Sequence, residues 1–116
     1  MKVLLINAPE NYFDLLQLDI TRQMVDRKTN PDFIHLFAKT NHDLIIEMKY
    51  LKLTCHANPN IIIWISWYKK SSGIATDITE EMIRNYALQN NLVDIKVCAV
   101  SEHWSGLKLV VPRNKR

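Results

Sequence analysis

A chain of 116 residues with 47% apolar and 23% charged side chains has the length and composition of one folded domain, and neither figure fits a disordered tract. The net charge of +3 is mild, and the short run Arg113-Asn114-Lys115-Arg116 carries part of it as a solvated end. The apolar stretch Val3–Ile6 is too short for a secretory leader or a membrane span, and Cys55 and Cys98 are too few for a disulfide framework.

A single cytoplasmic domain over residues 1–116, with reduced thiols and no membrane segment, is therefore expected. Lys2-Val3-Leu4-Leu5-Ile6-Asn7 reads as a strand buried on both faces, and Pro9 ends it because proline cannot donate to a ladder. Glu10–Leu18 can form a short helix with Phe13 and Leu16 turned inward. Asp19–Val25 alternates only imperfectly, as a weak edge strand does, and Arg27–Pro31 is a polar turn. Phe33–Ala38 repeats the buried-strand pattern. Thr40 or Asn41 can cap the next helix, predicted from about Asn41 to Cys55 and stopped by Asn58-Pro59-Asn60. In it Leu44, Met48, Leu51 and Cys55 recur at helical spacing and make one apolar stripe.

Ile61–Trp67 is the strongest strand, β-branched and aromatic. Tyr68–Thr76 is a loop holding Lys69-Lys70-Ser71-Ser72-Gly73. Asp77 reads as the N-cap of a second helix ending near Gln89, with Glu80 completing a capping box and Ile78, Met82, Ile83 and Tyr86 facing inward. Val93–Val100 and Leu107–Val111 are strands joined by Ser101–Gly106, a link too short for a parallel return, so the pair is antiparallel. Alternating strands and helices predict an α/β fold: three-layer and Rossmann-like, with a mostly parallel sheet of five or six strands ending in an antiparallel hairpin. Val3–Ile6, Phe33–Phe37 and Ile61–Trp67 should be neighbouring central strands in that order.

Open parallel sheets bind ligands beyond the carboxyl ends of their strands. That edge would collect Asn7, Lys69, Lys70, Ser71, Ser72, Ser101, His103 and Trp104, which are the candidate anion- or ligand-binding residues. Two lysines ahead of a capped helix favour an anion at Lys69–Thr76, since free N–H groups and the helix dipole add to the ammonium charge. The loop lacks the flanking glycines and the Lys-Ser/Thr pair of a Walker-type phosphate loop. Trp104, in a tight polar connection, either folds onto the core or stacks on a partner. His35, inside an apolar strand, reads as a satisfied core histidine, and Trp64 and Trp67 face opposite sides of theirs. Gly-x-Ser-x-Gly is absent and no nucleophile–base pair stands out, so no catalytic residue is assigned. Cys55-His56 lacks ligand spacing, so no metal is expected.

Trp67–Gly73, Thr76–Glu80, Leu92–Val100 and Trp104–Lys108, with Asn7-Ala8-Pro9 near the start, resemble the bacterial domain-of-unknown-function family 3052, most specifically from Trp64 to Lys108. The sequence departs from that family at Tyr68, where Trp-Pro-Lys is usual, and at Ser101, where an acidic residue is frequent. The resemblance implies an α/β fold and no established activity, substrate or catalytic residue. The order of elements is also similar to the class I methyltransferase fold, which ends in the same kind of hairpin. The turn Asn7-Ala8-Pro9-Glu10 has no glycine to let the chain pass close under S-adenosylmethionine or a dinucleotide, so no cofactor is expected. Asp26 is placed to mimic a ribose-binding carboxylate. The reading is a non-catalytic binding or interaction module with a cofactor-less methyltransferase-like fold; the alternative is a small enzyme or a binder of a small anion at the carboxyl edge. Either implies a small anionic ligand or a protein partner. Nucleic acid is not expected, because basic residues do not cluster with aromatic ones beyond that edge.

Overall fold

Apolar runs with no polar side can be covered on both faces only inside a sheet, and the three predicted here pair side by side. In a computed structural model, which describes residues 2–9, 24–26 and 30–113, they are β1 (Val3–Ile6), β2 (Phe33–Phe37) and β3 (Ile62–Tyr68). All three are parallel, with Leu5 beside His35 and His35 beside Trp64, but β1 stands at the end of the strand order and is not one of the central strands expected. β4 (Val93–Ala99) and β5 (Trp104–Val110) complete a five-stranded sheet in the order β1-β2-β3-β5-β4. β5 runs antiparallel to both of its neighbours, so the sheet is mixed. On the far side of β1, Met24 forms a lone parallel bridge to Val3, and the Val25 N–H donates to the Val3 carbonyl at 2.8 Å. That bridge is the described part of the weak edge strand expected over Asp19–Val25. The helix expected over Glu10–Leu18 lies outside the described residues.

Two helices follow from the predicted stripes. α1 (Asn41–Ala57) starts at Thr40, whose hydroxyl accepts from the Asp43 N–H at 3.1 Å, and it buries Leu44, Met48, Leu51 and Cys55. It ends where the Asn58 N–H reaches the Thr54 carbonyl and Pro59 forbids another turn. α2 (Glu80–Gln89) buries Ile83 and Ala87. One core unites these residues with Leu4, Ile34, Leu36, Ile63, Ile65, Leu107 and Leu109, which alternate along their strands and so share one face.

Both helices therefore cover the same side of the sheet. The steps from β2 to β3 and from β3 to β4 advance in one direction across it, and right-handed crossovers then put both helices on one side. The described residues form two layers where three were expected. Neither described helix is long and apolar enough to cross a membrane.

The other face carries a second, aromatic cluster around Phe37 and Trp104. His35 belongs to this side. It is 5% exposed, shares a 2.7 Å hydrogen bond between Nε2 and the Ser66 hydroxyl, and stacks on Phe37 at 4.3 Å. The core-histidine reading holds, and burial pushes the imidazole down to about 3, so it is neutral at physiological pH.

Candidate functional site

The chain leaves β1 for Met24 on one side and returns to β2 on the other, which makes the end of β1 the crevice that doubly wound folds use. Asn7 turns there with φ 56°, a left-handed conformation that asparagine tolerates better than most side chains. Leu5 and Ala8 on either side of that turn pack against Phe37 and Trp104, joined by Tyr68 and Val100. Phe37 meets Trp104 edge-on at 4.9 Å, and Tyr68 stacks on it at 4.2 Å. Trp104 is the first residue of β5 rather than part of the connection, and at 6% exposure it belongs to the core. Truncating a tryptophan so buried costs about 3–5 kcal/mol.

The lysine loop lies on the β3 side of that cluster. The Lys69 N–H donates to the His103 carbonyl at 2.9 Å and ties the end of β3 to the hairpin. Lys70–Ser72 form one 3₁₀ turn, Ser71 among them, and Gly73 leaves it at φ 75°. The Ser72 hydroxyl donates to the Lys69 carbonyl at 2.6 Å and accepts from the Ile74 N–H at 3.1 Å, so the turn itself engages it. The Ser101 hydroxyl accepts from the exposed His103 N–H at 3.3 Å. Lys69, Lys70, Ser72, Ser101 and His103 thus gather around the ends of β3 and β4, while Asn7 is exposed at the end of β1.

The predicted capping box does not form. Thr79 is the N-cap of α2, its hydroxyl accepting from the Met82 N–H at 3.2 Å. Asp77 reaches instead across to α1 and accepts from the Asn41 N–H at 2.7 Å, where the positive end of that helix favours a carboxylate. The Thr76 hydroxyl donates to the Lys39 carbonyl at 3.0 Å, and the Tyr86 hydroxyl donates to Asn41 Oδ1 at 3.0 Å. The start of α1, a ready anion position in such folds, is filled by the chain's own carboxylate. Glu80 pairs with Arg84, whose Nε donates to Asp94 at 3.1 Å. That hydrogen bond, reinforced by the Glu80 charge, holds the guanidinium above its usual range.

Between the lysine loop and α2 runs an open groove of about 630 Å³, with Tyr68, Lys69 and Lys70 on one wall and Ile78, Glu80 and Glu81 on the other. The acidic wall went unseen in the sequence because Glu80 reads there as part of a capping box and Glu81 has no assigned role. The groove thus brings lysines, carboxylates and apolar side chains together, with Glu80 already paired to Arg84. A second cavity, about 390 Å³ and lined by Cys55, His56 and Asn90, opens at the amino edge of the parallel strands. Burial pushes the Cys55 thiol up to about 11, which leaves it a poor nucleophile at neutral pH. Among the described residues no group of three His, Cys, Asp or Glu could hold a metal ion.

No protein-family model matches the chain, and no curated protein matches it. Solved structures do. A SAM-dependent methyltransferase from Aquifex aeolicus aligns at TM-score 0.57 and 18% identity, over 96% of this chain and 69% of that one. A protein of the NADB-Rossmann superfamily from Streptococcus agalactiae aligns at 0.58 and 9% identity, over 95% of this chain and 61% of its own. TnmH aligns at 0.58 and 13% identity, over 97% of this chain and 43% of its own. The last two are thus matched over less than two thirds of their length. At such identities the likeness defines a fold: this chain has the α/β Rossmann-like architecture found in methyltransferases.

Proposed function

We propose that the chain is a binding or interaction module built on a methyltransferase-like fold that has lost the means to hold the cofactor. The observation that carries this reading is the apolar cluster beside the end of β1, where Leu5, Ala8, Phe37 and Trp104 pack together. S-adenosylmethionine needs polar partners for its ribose and amino-acid ends and a close backbone approach at that turn. The described residues do not fit it: the turn carries Ala8 and Pro9 where glycine would open it, and the start of α1 already engages Asp77. The resemblance to family 3052 is matched by no family model and adds nothing to this reading. Binding then falls to the groove between the lysine loop and α2, whose lysines and carboxylates suit a polypeptide segment bearing both signs of charge.

Calorimetric titration with S-adenosylmethionine is expected to give no saturable heat. Micromolar binding would overturn the reading and make Asp26 the first residue to mutate. A second reading, a small anion held by Lys69 and Lys70, is favoured by their position on one groove wall. It requires phosphate to raise the melting temperature of wild type and not of Lys69→Ala/Lys70→Ala.

A further inference from the structure

On the sheet face away from both helices, the register sets Trp64 of β3 opposite Lys108 of β5, and Lys108 opposite Lys96 of β4. Partners in register point to the same side, so the three form one row across the sheet. Two like charges directly opposite each other destabilise a sheet, and nothing described offsets them. Ile62, Ser66, Gly106, Val110 and Cys98, their neighbours in the same registers, include no carboxylate. Asp94 turns to Arg84 on the helix side.

Trp64 adds the second element. A Cβ at Gly106 would come within 3.2 Å of the indole, so the missing side chain is what lets the ring lie down on β5. The ring stays partly exposed, as does Lys108, while Lys96 is exposed. A partly exposed indole beside two uncompensated ammonium groups matches a ligand that brings both a stacking face and negative charge. Single-stranded nucleic acid brings both, with bases to stack and phosphates to pair. An acidic polypeptide would use only the lysines, and a duplex keeps its base faces stacked inside. The expectation against nucleic acid rested on basic residues not clustering with aromatic ones beyond the carboxyl edge; the register sets Trp64, Lys108 and Lys96 together away from that edge.

We propose that the Trp64–Lys108–Lys96 row is a docking surface for single-stranded nucleic acid. It lies on a different face from the groove and stands or falls independently of it. The test is fluorescence anisotropy of a labelled fifteen-residue oligothymidylate titrated with the whole chain at low and moderate salt. Wild type should bind, and Lys96→Ala/Lys108→Ala should bind at least about tenfold more weakly, with the salt slope reduced by about 1.4 for two lost phosphate contacts. Lys49→Ala/Lys52→Ala, on the outside of α1, should bind like wild type. Trp64→Leu should weaken binding roughly 5- to 150-fold. Should that variant fail to fold, quenching of intrinsic fluorescence replaces it, since Trp67 and Trp104 are only 7% and 6% exposed and Trp64 is the ring within reach. Absence of binding at low salt would overturn the proposal. Equal binding by Lys96→Ala/Lys108→Ala would overturn it too, as would polyglutamate competing as well as the oligonucleotide.

Discussion

His35 shows how one buried group can set the acid response of a whole domain. Its folded-state pKa is depressed from 6.5 to about 3 because burial disfavours the imidazolium. Below pH 6.5 the unfolded chain takes up a proton that the folded chain refuses. Stability from this group is therefore complete above about pH 6.5, falls as pH drops toward 3, and changes no further below that. The slope should approach about 1.4 kcal/mol per pH unit in the middle of that window. Glutamine can keep a hydrogen bond to the Ser66 hydroxyl without titrating. Urea midpoints measured from pH 7 to pH 4 should fall more steeply for wild type than for His35→Gln. Parallel profiles would remove His35 as the cause.

At the scale of elements, the start of α2 separates what a local pattern encodes from what the fold decides. Asp77 and Glu80 have the spacing of a capping box, yet Thr79 caps the helix and Asp77 bonds the first residue of α1. Thr79→Ala should cost about 1 kcal/mol and speed amide exchange at Met82. Asp77→Ala should speed exchange at Asn41 and leave Met82 protected; faster exchange at Met82 would return Asp77 to the cap. The strands show the same division. β1, β2, β3 and the apolar stripe of α1 were legible because each is a continuous or periodic apolar signal a few residues long. The partner of Asp77 lies 36 residues away, and no local pattern carries that information. Trp104 was legible as either core or a stacking surface, and the core alternative is the one realised; its neighbours Phe37 and Tyr68, which come from two other strands, were not legible. The candidate site divides likewise: the strand ends bring Lys69 and Lys70 to one edge as expected, while the acidic wall opposite them depends on how α2 is set down.

For the molecule as a whole, two surfaces of different chemistry are held by one sheet, and the sheet is closed by its last strand. β5 inserts between β3 and β4, contributes Leu107 and Leu109 to the main core, and is the only strand partner of β4 among the described residues. A chain cut after residue 103 loses that partner and those core residues together, and should show no cooperative urea transition; a sigmoidal unfolding curve from it would contradict this dependence. During synthesis the consequence is one of timing. The ribosome delivers β1 to β4 in order, but β4 has nowhere to pair until residues 104–110 have cleared the exit tunnel. Until then β3 offers an unfilled edge, apolar and β-branched, to any other strand in its surroundings. The nascent protein thus depends on the β4–β5 hairpin for protection, and a force-sensing arrest sequence placed behind residue 116 should report folding only after Val110 has emerged.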